Sequence, residues 1–135
     1  MASPGSKLHL KAGMKLILLN APEEHAGIFR DAPSGCTVST SPRGRADLVL
    51  LFAASVKDLR ARFPKVLALP GKDTPLWIAY PKLTGSIKSD LTRDKGWDIV
   101  RKAGLRPVTL ISLDETWSAL RFRKAELVKK PSARV

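Results

Sequence analysis

Residues 107–123 read Pro107-Val108-Thr109-Leu110-Ile111-Ser112-Leu113, then Asp114-Glu115-Thr116, then Trp117-Ser118-Ala119-Leu120-Arg121-Phe122-Arg123. Two runs rich in β-branched and aromatic residues stand only three residues apart, a gap that an antiparallel hairpin bridges and a parallel crossover cannot. Upstream the pattern changes. Leu76-Trp77-Ile78-Ala79-Tyr80, Asp47-Leu48-Val49-Leu50-Leu51-Phe52-Ala53 and Met14-Lys15-Leu16-Ile17-Leu18-Leu19-Asn20 are nearly continuous apolar runs. Such runs suit parallel strands covered on both faces.

Helical signals separate these strands. Pro22-Glu23-Glu24 opens a short helix reaching about residue 30, with acids where the dipole favours them. Ser55 can cap a helix whose Leu59, Phe63 and Leu67 share one face, with Pro64 interrupting or restarting it. A third helix is expected over about 91–103, carrying Leu91, Trp97, Val100 and Ala103, with Gly104 as its left-handed cap. Residues 36–40 form a weak β-branched strand, and their link to Asp47 is too short for an ordinary parallel crossover. Residues 42–44 and 70–73 read as turns.

Alternating strands and helices ending in a hairpin imply one α/β domain. It is a three-layer sandwich with a mostly parallel sheet of five or six strands and a C-terminal antiparallel pair. At 135 residues the chain can close one core. The domain is expected over 8–128, with a flexible stretch at 1–7 and a basic tail at 129–135.

Composition narrows the function classes. Apolar residues make up 44% and charged residues 27%, which excludes a disordered polar chain. No apolar run approaches the roughly 20 residues of a membrane span, and the first residues lack a secretory pattern. The one cysteine, Cys36, cannot close an internal disulfide, and His9 and His25 have no partner at metal-ligand spacing. A cytoplasmic protein without metal is expected. The net charge is +12, a field that attracts nucleic acid or an acidic protein. Arg121, Arg123, Lys124, Lys129 and Lys130 are the nucleic-acid candidates in the densest stretch. No recognised nucleic-acid motif accompanies them, and solubility charge is the plainer account.

In open α/β sheets, ligands sit beyond the carboxyl ends of the strands, where strand order reverses. That edge gathers Asn20, Ser55, Tyr80, Lys82, Thr84, Lys88, Asp90, Asp114, Glu115 and Trp117. Lys82, Thr84, Gly85 and Lys88 could cradle a small anionic ligand before a helix opened by Asp90. More simply, the lysines are solvated and Asp90 caps its own helix. Tyr80 or Lys82 with Asp114 or Glu115 could serve a small-molecule enzyme, although acids in a tight hairpin are commonly turn chemistry. Asn20-Ala21-Pro22-Glu23-Glu24-His25 contains no glycine. The missing Gly-rich turn argues against a nicotinamide dinucleotide and against a working methyltransferase, so no cofactor is expected.

The strand pattern resembles a Rossmann-like domain of the class I methyltransferase kind, shortened, which implies the strand order 2-1-3-4-6-5. Tyr80-Pro81-Lys82, Asp90-Leu91-Thr92, Gly96-Trp97 and the segment from Thr116 to Arg123 resemble an uncharacterised bacterial family of short proteins, a domain of unknown function. That resemblance implies a small bacterial Rossmann-like domain and carries no activity with it. The expected function is a non-catalytic binding or regulatory module with its ligand at the strand ends. The alternatives are a nucleic-acid-associated basic protein and the small-molecule enzyme.

Overall fold

The three continuous apolar runs lie in or beside the middle of one sheet. The computed structural model describes residues 13–20, 37–39, 46–67, 76–82, 89–92, 95–113 and 116–124. Among these described residues there are six strands: β1 (Lys15–Leu19), β2 (Thr37–Ser39), β3 (Leu48–Phe52), β4 (Leu76–Pro81), β5 (Leu105–Ser112) and β6 (Trp117–Lys124). Their order is β2-β1-β3-β4-β6-β5. Strands β2, β1, β3 and β4 run parallel, and β6 is antiparallel to both β4 and β5. This is the Rossmann-like, mostly parallel sheet with a C-terminal antiparallel hairpin, in the order the methyltransferase resemblance implies.

Side chains of β1, β3 and β4 alternate between two cores. On one face Ile17, Leu51, Ile78 and Phe122 pack against Leu59, Phe63 and Val66 of α1 (Val56–Leu67) and Val100 of α2 (Asp98–Lys102). On the other face Leu16, Leu50, Phe52, Trp77, Ala79 and Trp117 form a second cluster. Burial on both faces explains why these strands carry no polar alternation. Pro64 lies inside α1, which runs on through it; Pro64 is exposed, while Phe63 and Val66 on either side of it face the core.

Two expectations need correction. The third helix is not 13 residues long but spans Asp98–Lys102, with Gly104 in the left-handed region behind it at φ 89°. The cause is Gly96, at φ 99°. A helix cannot continue through a left-handed residue, so Leu91 and Trp97 reach the core from irregular backbone. The second correction concerns β2. Both β2 and β3 pair parallel with β1, on its two sides. Eight residues (40–47) join them, and such a link can reach ~26 Å. The return path is roughly 19 Å, from two strand spacings and the length of one short strand. A helix-free crossover therefore suffices.

The helix expected over 22–30, the turns at 42–44 and 70–73, the ends at 1–7 and 129–135, and His9, His25 and Cys36 lie outside the described residues.

Candidate functional site

Strand order reverses between β1 and β3, so the fold rule directs a ligand to the carboxyl ends of those two strands. Asn20 follows β1 directly and adopts φ 58°, a left-handed conformation that Asn tolerates better than any residue except Gly. The chain thus turns sharply without a glycine. The Asn20 side-chain amide crosses to β3, donating to the Phe52 carbonyl at 2.8 Å and to Asp58 Oδ2 at 2.9 Å.

Asp58 is the hub of this corner. Its Oδ2 also accepts from the Ala54 amide at 3.0 Å, and its Oδ1 accepts from Arg62 Nε at 2.7 Å. The Asp58 amide donates to Ser55 Oγ at 3.1 Å. Ser55 therefore caps α1 as its position requires, and Asp58 closes the box by holding the backbone just before the cap. Burial works against the Asp58 charge. The Ala54 amide, the hydrogen bond and charge of Arg62, and the Asn20 amide outweigh it and hold the carboxyl below its ordinary value of 3.8.

Asp90 is placed differently from its expected role. It does not open its own helix; its Oδ1 accepts from the Val56 amide at 2.9 Å, across 34 residues of chain. Two carboxylates, Asp58 and Asp90, thus occupy the amino end of α1. Asp90 satisfies a donor that helix geometry leaves orphaned, while Asp58, ion-paired with Arg62, holds the backbone just before the cap. An anion-cradling role for that end is accordingly disfavoured.

Tyr80 is 4% exposed and its ring meets Trp97 edge-on at 5.5 Å, so its body belongs to the core. Lys82 Nζ donates to Ser112 Oγ at 2.6 Å, and the Lys82 amide donates to the Thr116 carbonyl. Trp117 is buried against Phe52, ring centroids 5.1 Å apart. Thr84, Lys88, Asp114, Glu115, Lys129 and Lys130 lie outside the described residues. The structure therefore unites Asn20, Ser55 and Asp90 at one corner, and places Tyr80 and Trp117 in packing.

The basic candidates sit elsewhere. Because β6 runs antiparallel to β4, Arg123 and Lys124 lie beyond the amino end of β4, on the far edge of the sheet from Asn20. Arg121 is paired with Trp77 in register, and Arg121 Nε and Trp77 Nε1 are buried donors without a hydrogen-bond acceptor among the described residues. Asp58 and Arg62, which sequence reasoning passed over, carry the corner. The signal was available: Ser55 with Asp58 three residues on is a capping-box spacing.

No helix among the described residues is long and apolar enough to cross a membrane, and none of them form a cluster of three or more metal-ligating side chains.

The chain is similar in structure to a ribosomal protein L11 methylase from Lactobacillus delbrueckii subsp. bulgaricus. Identity there is 10%, the TM-score is 0.53, and the match covers 90% of this chain and 75% of that one. It is also similar to a SAM-dependent methyltransferase from Aquifex aeolicus, at 12% identity and a TM-score of 0.50, covering 87% and 85%. No family model and no curated protein matches the chain, so the likeness is to the methyltransferase fold and the resemblance to a bacterial family of short proteins gains no support. These neighbours overturn two expectations, the non-catalytic module and the absence of a cofactor. The expectation of no cofactor leaned on the missing glycine, and the chain turns after β1 without one, at the positive φ of Asn20.

The cofactor this fold implies is S-adenosylmethionine, and the corner fits its chemistry. Ala53, Ala54 and Ser55 follow β3 with small side chains, which leaves backbone approachable. The ligand carries a cationic sulfonium and an ammonium, and the Asp90 carboxylate at the α1 amino end complements positive charge. A dinucleotide pyrophosphate would meet that same carboxylate as repulsion.

Proposed function

We propose that this chain is a methyltransferase-like enzyme that holds S-adenosylmethionine above the carboxyl ends of β1 and β3. The observation that carries the reading is the meeting of Asn20, Ser55, Asp58 and Asp90 at the amino end of α1, at the point of strand reversal. Methyltransferase neighbours supply the reaction class. When bound, the cofactor supplies an electrophilic methyl group on sulfur. The chain's own part is to present the Asp90 carboxylate at the rim, to keep the turn at Asn20 tight through the Arg62-paired Asp58, and to leave room at Ala54 and Ser55. A cytoplasmic setting is supported by the single cysteine, which suits a reducing compartment.

Calorimetric titration of the full chain with S-adenosylmethionine and, separately, with NAD tests this. Saturable binding of the first and none of the second is expected. Heat indistinguishable from dilution with about 1 mM S-adenosylmethionine, a threshold near 4 kcal/mol of affinity, overturns it. Asp90→Asn keeps the acceptor oxygen and removes the charge, and is expected to weaken binding about tenfold, or ~1.4 kcal/mol.

A further inference from the structure

Strand β6 carries its basic residues away from the Asn20 corner. Arg121 and Arg123 continue the row of Trp117 and Ala119 on one face of the strand, a spacing of roughly 7 Å. Arg106 of β5 stands directly opposite Arg123, and Lys124 opposite Leu105. A cross-strand pair thus holds two cations, where like charges destabilise a sheet. The chain enters β5 from the end of α2, which adds Arg101 and Lys102. Arg106 ties the group together, its Nη1 donating to the Leu105 carbonyl at 2.9 Å and to the Arg101 carbonyl at 3.4 Å. Six cations from three elements gather at this end of the hairpin.

The described fold neutralises little of this charge. Among the described residues none of Arg101, Lys102, Arg106, Arg121 and Lys124 is ion-paired, although Asp98 lies one turn before Arg101 and Lys102. The helix dipole accounts for Arg101 and Lys102 in the last turn of α2. It does not account for Arg106 opposite Arg123, nor for Arg121, whose Nε is buried without an acceptor among the described residues. A charge held in a partly buried place attracts a counter-charge more strongly than one in open water.

We infer that this end of the molecule binds the phosphate backbone of a nucleic-acid duplex. A lone phosphate or carboxylate meets one or two of the cations, whereas a polyanion meets several together. A duplex carries one charge per ~1.7 Å of its axis, about twice the density of an extended chain made wholly of acids at ~3.3 Å per residue. Four of the six cations are arginines, whose planar fork matches phosphate oxygens pairwise. Every described aromatic side chain is buried, so bases find no stacking platform, and the contact is with a backbone rather than with single-stranded bases. This surface is separate from the S-adenosylmethionine corner, which lies at the other end of the parallel strands.

Fluorescence anisotropy of a labelled duplex of about 16 base pairs, as DNA and as RNA, titrated with the full chain over a range of salt, tests this. Binding of at least one duplex is expected, with log K falling against log salt at a slope near −4, from about 0.9 per phosphate neutralised. No binding of either duplex at about 50 mM salt, where phosphate contacts are strong, overturns the inference. Arg101→Gln with Lys124→Gln removes two exposed cations whose side chains bond to no described residue. That pair is expected to keep the circular dichroism of the parent, to weaken binding about tenfold and to flatten the slope by about 2. Lys102→Gln with Lys124→Gln should do the same. Arg60→Gln with Lys65→Gln takes equal charge from exposed positions of α1 and should cost less than about twofold. Equal losses from both surfaces mean a diffuse field and overturn the inference. So does displacement of the duplex by polyglutamate as readily as by unlabelled duplex at equal charge, which makes an acidic protein the occupant. None of these readouts depends on S-adenosylmethionine, so their failure leaves the methyltransferase reading where it stands.

Discussion

Asn20 and Asp58 show how one side chain can stand in for a missing motif. Asn20 holds a positive φ after β1 and, through its amide, ties that strand to β3 and α1. Replacing it separates the two roles. Asn20→Gly keeps the backbone and loses the hydrogen bonds, at an expected cost of about 1 kcal/mol. Asn20→Ala adds left-handed strain, roughly 1–2 kcal/mol more. Asp58→Ala removes the acceptor shared by Asn20, Ala54 and Arg62 and is expected to cost about 1–3 kcal/mol in urea unfolding. Arg62→Ala removes only a partly exposed i,i+4 pair and should cost at most about 0.5 kcal/mol. The folded chain holds Asp58 below 3.8, chiefly because the Ala54 amide and Arg62 outweigh the opposing effect of burial. Its stabilisation is thus complete above the unfolded value and lost as pH falls through the lower folded one. The urea midpoints of the parent and Asp58→Asn should converge as pH is lowered through that window. The capping box was legible from Ser55 and Asp58; the link to Asn20, 38 residues away, was not.

At the scale of elements, Gly96 decides the shape of the segment before α2. A Cβ there would lie 2.7 Å from Leu91 Cδ1 and 2.7 Å from Val56 Cγ2, at a φ of 99° that side chains avoid. Gly96→Ala is expected to cost more than about 2 kcal/mol, from strain and from displacing two packed side chains. Gly104→Ala has the same kind of φ but nothing within 4 Å, so about 1 kcal/mol is expected. Thermal melts of the two variants side by side test the difference. Apolar spacing made residues 91–103 read as a continuous helix because Leu91, Trp97 and Val100 do all face the core. Periodicity registers burial, however, and burial is also reached from an irregular chain. The short strand β2 is present where a weak strand was expected. Its three residues carry little signal of their own, and its place beside β1 comes from backbone pairing alone.

Across the whole molecule, stability rests on two cores divided by the sheet. Phe63 of α1 is fully buried on the helix face, and Phe63→Ala should cost about 3–5 kcal/mol by urea unfolding. That is a large part of the 5–15 kcal/mol typical of a domain. A loss under about 1 kcal/mol would mean that α1 is not seated against the sheet. The sequence by itself determined the parallel centre and the antiparallel hairpin. Runs apolar at every position must be covered on both faces, and a three-residue gap between strands allows only a reversal. The strand order β2-β1-β3-β4-β6-β5 did not follow from those two facts; it came from the resemblance to the methyltransferase sheet. Only the tertiary structure decided the site. Asp90 leaves its own segment to cap α1, Asn20 reaches Asp58 across the strand reversal, and Arg123 and Lys124 fall on the far edge of the sheet. These are partnerships between residues distant in the chain, and local pattern cannot register a contact that exists only once the sheet has formed.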